Sequence, residues 1–396
     1  MIQFEFVDAD ALLLDSFKLG KKIYESGFIP THAVSLWRGG TPVGLGVGEY
    51  FRLKGHFINH TTFATASYTG INSQSEIIIK GLEHLIKSIS KEDKLLIVDD
   101  IYDSGKTIEA VINTIKKTSR ANSPDHILVA CVYNKIRERS VHIPVTTLSD
   151  KEDVWISFPH EIADLVSDDD KNETWIQNKS AAIYSILQSG NTIARTNIEI
   201  NNEFYYLKAS TLLEDSLKLA VTIFEDGFYP DFIIATWPGG ISAGLSIHEY
   251  FKYRIAKDRL SIKTPDHISI NTSGSHLSYK SNIIGIKYLE DTINPDDKIL
   301  LVDTGFGSGR LINHTIDKLK ESLRRNINVD NIRIASVYYN PLKDVTWTTV
   351  PRYTEPHYYL YKVNKEVIFP HQIHRLPSPE KNLKTVWPEL HDVLYK

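Results

Sequence analysis

The chain has 396 residues, 42% of them hydrophobic, and a formal net charge of −4 from 45 Lys and Arg against 49 Asp and Glu. That length exceeds one ordinary core and predicts two or three domains, while the near-balanced charge lacks the basic excess of a dedicated nucleic-acid binder and leaves small molecules or protein as partners. The single cysteine, Cys131, excludes an internal disulfide and a thiol zinc cluster, so a reducing, cytoplasmic setting is expected; no run reaches the roughly 18 apolar residues of a membrane span.

In chain order, the first half alternates β-rich apolar runs with helical periodicity. Met1-Ile2-Gln3-Phe4-Glu5 has neither the basic nor the apolar stretch of a leader, so none is expected. A strand is predicted at Ala33–Leu36, helices around Val43–Phe51 and Glu76–Ser88, a strand at Leu95–Val98, a helix at Thr107–Lys117 and a strand at Ile127–Val132. Cys131 lies in the last of these and reads as a buried structural thiol. The alternation indicates an α/β fold with a parallel sheet, whose ligands bind beyond the carboxyl ends of the strands.

Compared with itself, the chain repeats at a shift of about two hundred residues. Asp15-Ser16-Phe17-Lys18-Leu19 returns as Asp215-Ser216-Leu217-Lys218-Leu219, Trp37-Arg38-Gly39-Gly40 as Trp237-Pro238-Gly239-Gly240, and Glu49-Tyr50-Phe51 as Glu249-Tyr250-Phe251. Leu96-Ile97-Val98-Asp99 pairs with Leu300-Leu301-Val302-Asp303, and Phe158-Pro159-His160 with Phe369-Pro370-His371. Two domains are expected, at residues 1–190 and 200–396. They are joined through Ser167–Glu173, a helix-like segment at Ala181–Leu187, and Ser189-Gly190-Asn191.

The densest chemistry lies at Leu95–Thr107: an apolar strand, the adjacent carboxylates Asp99 and Asp100, then Asp103-Ser104-Gly105-Lys106-Thr107 opening a helix. Successive backbone N–H groups at a helix N-terminus suit a phosphate dianion, and glycine allows close approach. A Walker loop is excluded, because its first glycine would fall at Asp100. Upstream, Arg38-Gly39-Gly40 offers backbone amides and a charge-assisted donor. Downstream, a strand ends at Lys135, and Trp155-Ile156-Ser157-Phe158-Pro159-His160-Glu161 follows.

Together these motifs resemble the type I phosphoribosyltransferase family, closest to xanthine-guanine and archaeal-type hypoxanthine enzymes, over nearly all of the first half and more weakly the second. The resemblance implies two tandem Rossmann-like domains, with transfer of 5-phosphoribosyl from phosphoribosyl pyrophosphate (PRPP) to a purine base by the first. It implies PRPP binding by Arg38, Gly39, Gly40, Ser67, Tyr68, Asp99, Asp100, Asp103, Ser104, Gly105, Lys106 and Thr107. A non-proline cis peptide is expected at the Arg-Gly-Gly loop, a mobile lid at Thr65–Ser73, and Asp103 beside the ring nitrogen for proton transfer. Lys135, Trp155, Ile156 and Glu161 are implied base contacts, and Mg2+ would be held indirectly near Asp99 and Asp100 through PRPP and water. His160, where relatives often carry an aromatic, leaves the exact base open.

In the second repeat Thr304, Gly307, Pro238, Asn340 and Glu366 replace Asp100, Asp103, Arg38, Lys135 and Trp155, so a chemically silent copy is expected. The two copies are expected to form an intrachain pseudo-dimer, with further association of chains left open. A non-catalytic PRPP or nucleotide sensor, and a transferase acting on a non-purine heterocycle, are the competing readings.

Overall fold

The computed structural model describes residues 4–67, 77–139, 141–152, 154–165, 179–189, 196–198, 204–271, 286–341 and 352–396. Among them no helix is long and apolar enough to cross a membrane. The chain forms two compact units, Met1–Ile156 with His371–Lys396, and Ser157–Pro370.

In the first unit, β1 (Phe4–Phe6) leads into α1 (Ala9–Glu25), whose first turn is capped by the Asp8 carboxylate accepting from Ala11 N–H at 2.8 Å. Leu12, Phe17, Leu19 and Ile23 bury one stripe of this helix. Next come β2 (His32–Trp37), α2 (Gly40–Leu53), β3 (Asn59–Ser67), β4 (Ile77–Lys80), α3 (Glu83–Ser88), β5 (Lys94–Tyr102), α4 (Lys106–Ser119), β6 (His126–Lys135), β7 (Val145–Lys151) and β8 (Trp155–Ser157). The sheet order is β4-β3-β2-β5-β6-β7, parallel except where β3 meets β4. All six residues of β2 are buried, as a strand covered by helices on both faces requires. On one face Val34, Leu36, Leu95, Ile97 and Cys131 pack with Leu85, Ile108 and Val111 of α3 and α4, and α1 and α2 pack together against the sheet.

The helix expected over Glu76–Ser88 is instead strand, break and short helix. Ile77-Ile78-Ile79 is β-branched and pairs with β3 at the sheet edge, and Gly81, at φ +91°, turns the chain before α3.

The second unit repeats the plan. Helix α5 (Ala181–Ser189) and β9 (Thr196–Ile198) precede β10 (Phe204–Tyr206), α6 (Ala209–Glu225), β11 (Phe232–Trp237), α7 (Ile241–Lys257), β12 (Asp266–Asn271), α8 (Ile286–Thr292), β13 (Ile299–Phe306), α9 (Arg310–Leu323), β14 (Ile332–Tyr339), β15 (Tyr358–Val363) and β16 (Glu366–Ile368). Its sheet runs β12-β11-β13-β14-β15-β9, with every pairing parallel.

The compact units differ from the boundaries 1–190 and 200–396 because the stretch after each Phe-Pro-His packs away from its own repeat. In the first unit, His374 donates its backbone N–H to Glu49 Oε1 at 2.7 Å, with its Nδ1 2.8 Å from the same oxygen, and Trp387 meets Phe17 edge-on at 6.3 Å. Helices α10 (Pro379–Val386) and α11 (Pro388–Tyr395) complete that unit. In the second, Ala163 N–H donates to the matching Glu249 at 3.2 Å, and Ile162, Ile183, Ile186 and Leu187 join the cluster of Leu217, Ala220 and Ile247. The segment Ser167–Glu173 lies outside the described residues.

Two buried imidazoles of the first unit weaken it in acid. Burial pushes His60 down to about 3, and burial together with the nearby His374 pushes His371 down to about 3. The unfolded chain takes up these protons near the ordinary value of about 6.5, so stability is full above that and falls as the pH drops toward the folded value. Between pH 7.5 and 5 each is expected to cost about 2 kcal/mol. Comparing urea midpoints at the two pH values for the wild type and His60→Gln checks this, since the variant loses its share of the slope.

Candidate active site

The loops after β2, β5 and β6 leave the same carboxyl edge, because β5 lies between β2 and β6 in parallel register. Sequence-distant motifs are thereby brought together. The Trp37–Arg38 peptide is cis, as is Trp237–Pro238 in the second repeat. Gly39 and Gly40 press directly on the acids: a Cβ at Gly39 would lie 2.0 Å from Asp100 Oδ2, and one at Gly40 2.3 Å from Val98 O. A side chain at Gly39 would displace the Asp100 carboxylate, and one at Gly40 would have to move the strand end itself.

Asp100 is buried, its Oδ1 accepting from Ile101 N–H at 2.7 Å, and its own N–H donates to Asp99 Oδ1 at 3.1 Å. Burial pushes the Asp99 carboxyl up, to about 7, against the lowering pull of bonds from Asp100 and from the Gly40 backbone. The glycine loop and the acid pair thus form one hydrogen-bonded corner.

The turn after β5 faces outward. Gly105 takes a left-handed conformation (φ +78°), Ser104 Oγ accepts from Lys106 N–H at 3.5 Å, and α4 begins at Lys106. Ser104 and Lys106 are exposed, Gly105 is buried and Thr107 half-buried where α4 begins. Behind Gly105, the Tyr102 ring fills the space, its hydroxyl donating to Val141 O at 3.2 Å and accepting from Ile143 N–H at 3.1 Å.

Lys135, at the end of β6, is buried with its Nζ 3.7 Å from Asp103 Oδ2 and 6.0 Å from the centroid of Trp155, which is 51% exposed. Lys135 and Trp155 therefore stand together beside Asp103. Ile156 is buried within β8, which pairs with β1. Glu161 falls in the second compact unit, where its carboxylate accepts from Phe158 N–H at 2.9 Å and braces the turn. Ser67 closes β3, but its side chain, Tyr68 and the remainder of the expected lid lie outside the described residues.

Two arginines escaped the sequence reading. Arg139 donates to Tyr102 O at 3.0 Å, to Asn134 Oδ1 at 2.8 Å and to the carbonyls of Asp103 and Lys135, while its guanidinium lies 4.3 Å from the Tyr102 ring centroid. One planar fork thus clamps the ends of β5 and β6, a task a lysine could not perform. Arg137 Nη1 donates to Asp103 Oδ1 at 2.9 Å. The sequence signal was the run Lys135-Ile136-Arg137-Glu138-Arg139 at a strand end, which resembles an ordinary solvated loop. Arg139→Met is expected to cost about 2–3 kcal/mol in urea unfolding, because several carbonyls lose a charged donor.

In the second repeat the frame persists with one acid, Asp303, in place of the pair. A Cβ at Gly239 would lie 2.5 Å from Asp303 Oδ1, one at Gly240 2.0 Å from Val302 O, and Gly309 repeats the left-handed turn at φ +73°. Thr304, buried in place of Asp100, donates its hydroxyl to Gly239 O. Asn340, in place of Lys135, donates to Lys365 O at 3.0 Å.

No curated protein sequence matches the chain. Among solved structures it is similar to a hypothetical protein from Neisseria gonorrhoeae with bound ppGpp, at 20% identity over 44% of this chain and 96% of that one, with a TM-score of 0.34. It is also similar to a purine phosphoribosyltransferase from Pyrococcus horikoshii, at 26% identity over 39% and 92%, with a TM-score of 0.30. A xanthine-guanine-hypoxanthine phosphoribosyltransferase from Helicobacter pylori shares 20% identity over 46% and 99%, with a TM-score of 0.30. The family profile described as phosphoribosyl transferase domain matches residues 5–165, a span that holds the glycine loop, the acid pair, the turn into α4, Lys135 and Trp155. Residues 5–165 are accordingly a phosphoribosyl transferase domain.

Proposed function

We propose that the first repeat transfers the 5-phosphoribosyl group of PRPP to a purine-type base and that the second repeat is catalytically silent. The observation that carries this reading is the corner where Gly39 and Gly40 press on Asp99 and Asp100 beside the outward-facing turn 103–107, within a phosphoribosyl transferase domain.

The roles follow from what each group offers. Arg38 and the Gly39 amide bind and orient pyrophosphate, while Gly40, whose N–H donates to Asp99, ties the loop to the acid pair. Asp99 and Asp100 accept from the ribose hydroxyls and favour positive charge at the anomeric carbon. The amides of Ser104–Thr107 hold the terminal phosphate at the start of α4. Trp155 offers its exposed face for stacking, with Lys135 at its edge. The hard carboxylate oxygens of Asp99 and Asp100 fit a hydrated Mg2+ that needs few protein ligands. When bound, that ion supplies Lewis-acid neutralisation of the leaving pyrophosphate.

The test is pyrophosphate release on incubation with PRPP, Mg2+ and each of hypoxanthine, guanine and xanthine. Turnover is expected with at least one base, and chelation of the divalent ion is expected to stop it. PRPP binding with no turnover of any base, purine or other heterocycle, would instead make the domain a nucleotide-sensing regulator.

A further inference from the structure

We infer that Glu5 and Lys151 are a positioning pair for the acceptor: by joining the two-stranded sheet of β1 and β8 to the end of β7, they set where Trp155 stands and so how tightly the base is held; this rests on the transferase reading above. Trp155 belongs to β8, which pairs with β1 outside the six-stranded sheet. Lys151 is the last residue of β7, lies opposite Lys135 in the register with β6, and donates its Nζ to Glu5 Oε1 on β1. The same Nζ lies 4.8 Å from the centroid of Tyr133 on β6. One side chain thus touches both sheets, and Glu5 balances a cation that would otherwise stand against Lys135.

The second repeat supplies the control. Phe204-Tyr205-Tyr206 matches Phe4-Glu5-Phe6, so Tyr205 stands where Glu5 does. Tyr339 pairs with Lys362 as Asn134 pairs with Asp150, so Val363, the last residue of β15, takes the place of Lys151. No ion pair can form between tyrosine and valine, and β16 there opens with Glu366 in place of Trp155. The adjoining polar group is kept in both copies: Tyr133 and Lys18 donate to Asp15 at 3.2 and 2.8 Å, and Tyr338 and Lys218 donate to Asp215 at 2.6 and 2.9 Å. What both copies keep serves the fold, whereas what disappears together with Trp155 and Lys135 serves the base. Stability does not account for the pair, because the side chains of Lys151 and Glu5 are 23% and 40% exposed, a setting in which ion pairs contribute little.

The experiment measures initial rates of the full chain and its variants with PRPP, Mg2+ and each of hypoxanthine, guanine and xanthine. Glu5→Gln and Lys151→Met are each expected to raise KM for the base about tenfold and to change kcat less than about threefold, since displacing a stacking ring removes binding shared by the ground and transition states. PRPP affinity, measured by calorimetry on the same variants, is expected to change less than about twofold. The reversed pair, Glu5→Lys with Lys151→Glu, is expected to bring KM back to within about threefold of the wild type, a rescue that general loosening would not give. Lys18→Met, at the polar group both repeats keep, is expected to leave KM for the base unchanged. Single variants whose KM stays within about twofold of the wild type, a reversed pair that rescues nothing, or an equal rise in Lys18→Met overturns the inference and leaves the transferase reading standing. A loss of PRPP affinity in Glu5→Gln or Lys151→Met also overturns it, because the pair then serves the phosphates. A wild type that turns over none of the three bases sinks the transferase reading and this inference with it.

Discussion

Asp100→Asn is expected to lower kcat with PRPP and a base by roughly 10²–10³-fold, the scale on which a group aimed at developing charge contributes. The substitution keeps the shape of a buried side chain, so the fold should persist and thermal melting should report little change. What is lost is negative potential at the anomeric carbon, within the corner formed with Gly39 and Asp99. Thr304→Ala removes the counterpart hydroxyl, which donates to Gly239 O, and is expected to leave kcat unchanged. Pyrophosphate release by the two variants decides the matter: equal losses from both would reject an active first repeat beside a silent second one.

Gly40→Ala is expected to be the most damaging single-methyl addition in the first unit. Its Cβ would meet Val98 O at 2.3 Å and Asp99 Cα at 3.0 Å, both parts of a central strand that cannot yield alone. Overpacking of this kind costs about 1–3 kcal/mol, and the relief, moving the loop away from β5, separates the pyrophosphate amides from the acids. Stability and turnover should therefore fall together. Gly240→Ala meets the same obstruction, Val302 O at 2.0 Å, and should cost similar stability. On the proposed division of labour it should spare kcat at temperatures where the protein stays folded, as urea unfolding paired with initial rates will show.

What the residues record along the chain depends on the range of the interaction involved. Strand, acid pair and turn were legible at Leu95–Thr107 because every cause is local: an apolar run, carboxylates at its end, a glycine that takes φ +78° and a helix that begins at once. The glycine pair after Trp37 was legible for the same reason. The helix expected at Glu76–Ser88 failed at Ile77–Lys80, where pairing with β3 at the sheet edge overrode a periodicity that short apolar runs share with strands. Arg137 and Arg139 were missed because their partners, Asp103 and the carbonyls of β5, lie more than thirty residues away in sequence.

By itself, the order of residues determined the parallel α/β class and the identity of the chemical groups, both of which follow from composition and short-range pattern. Only the tertiary structure decided which of those groups share a corner, that Glu161 braces a turn in the second compact unit, and that residues 371–396 complete the first. The physical reason is that a buried carboxylate such as Glu49 must find a donor wherever the fold supplies one, here His374, and no local pattern along the chain records that partner.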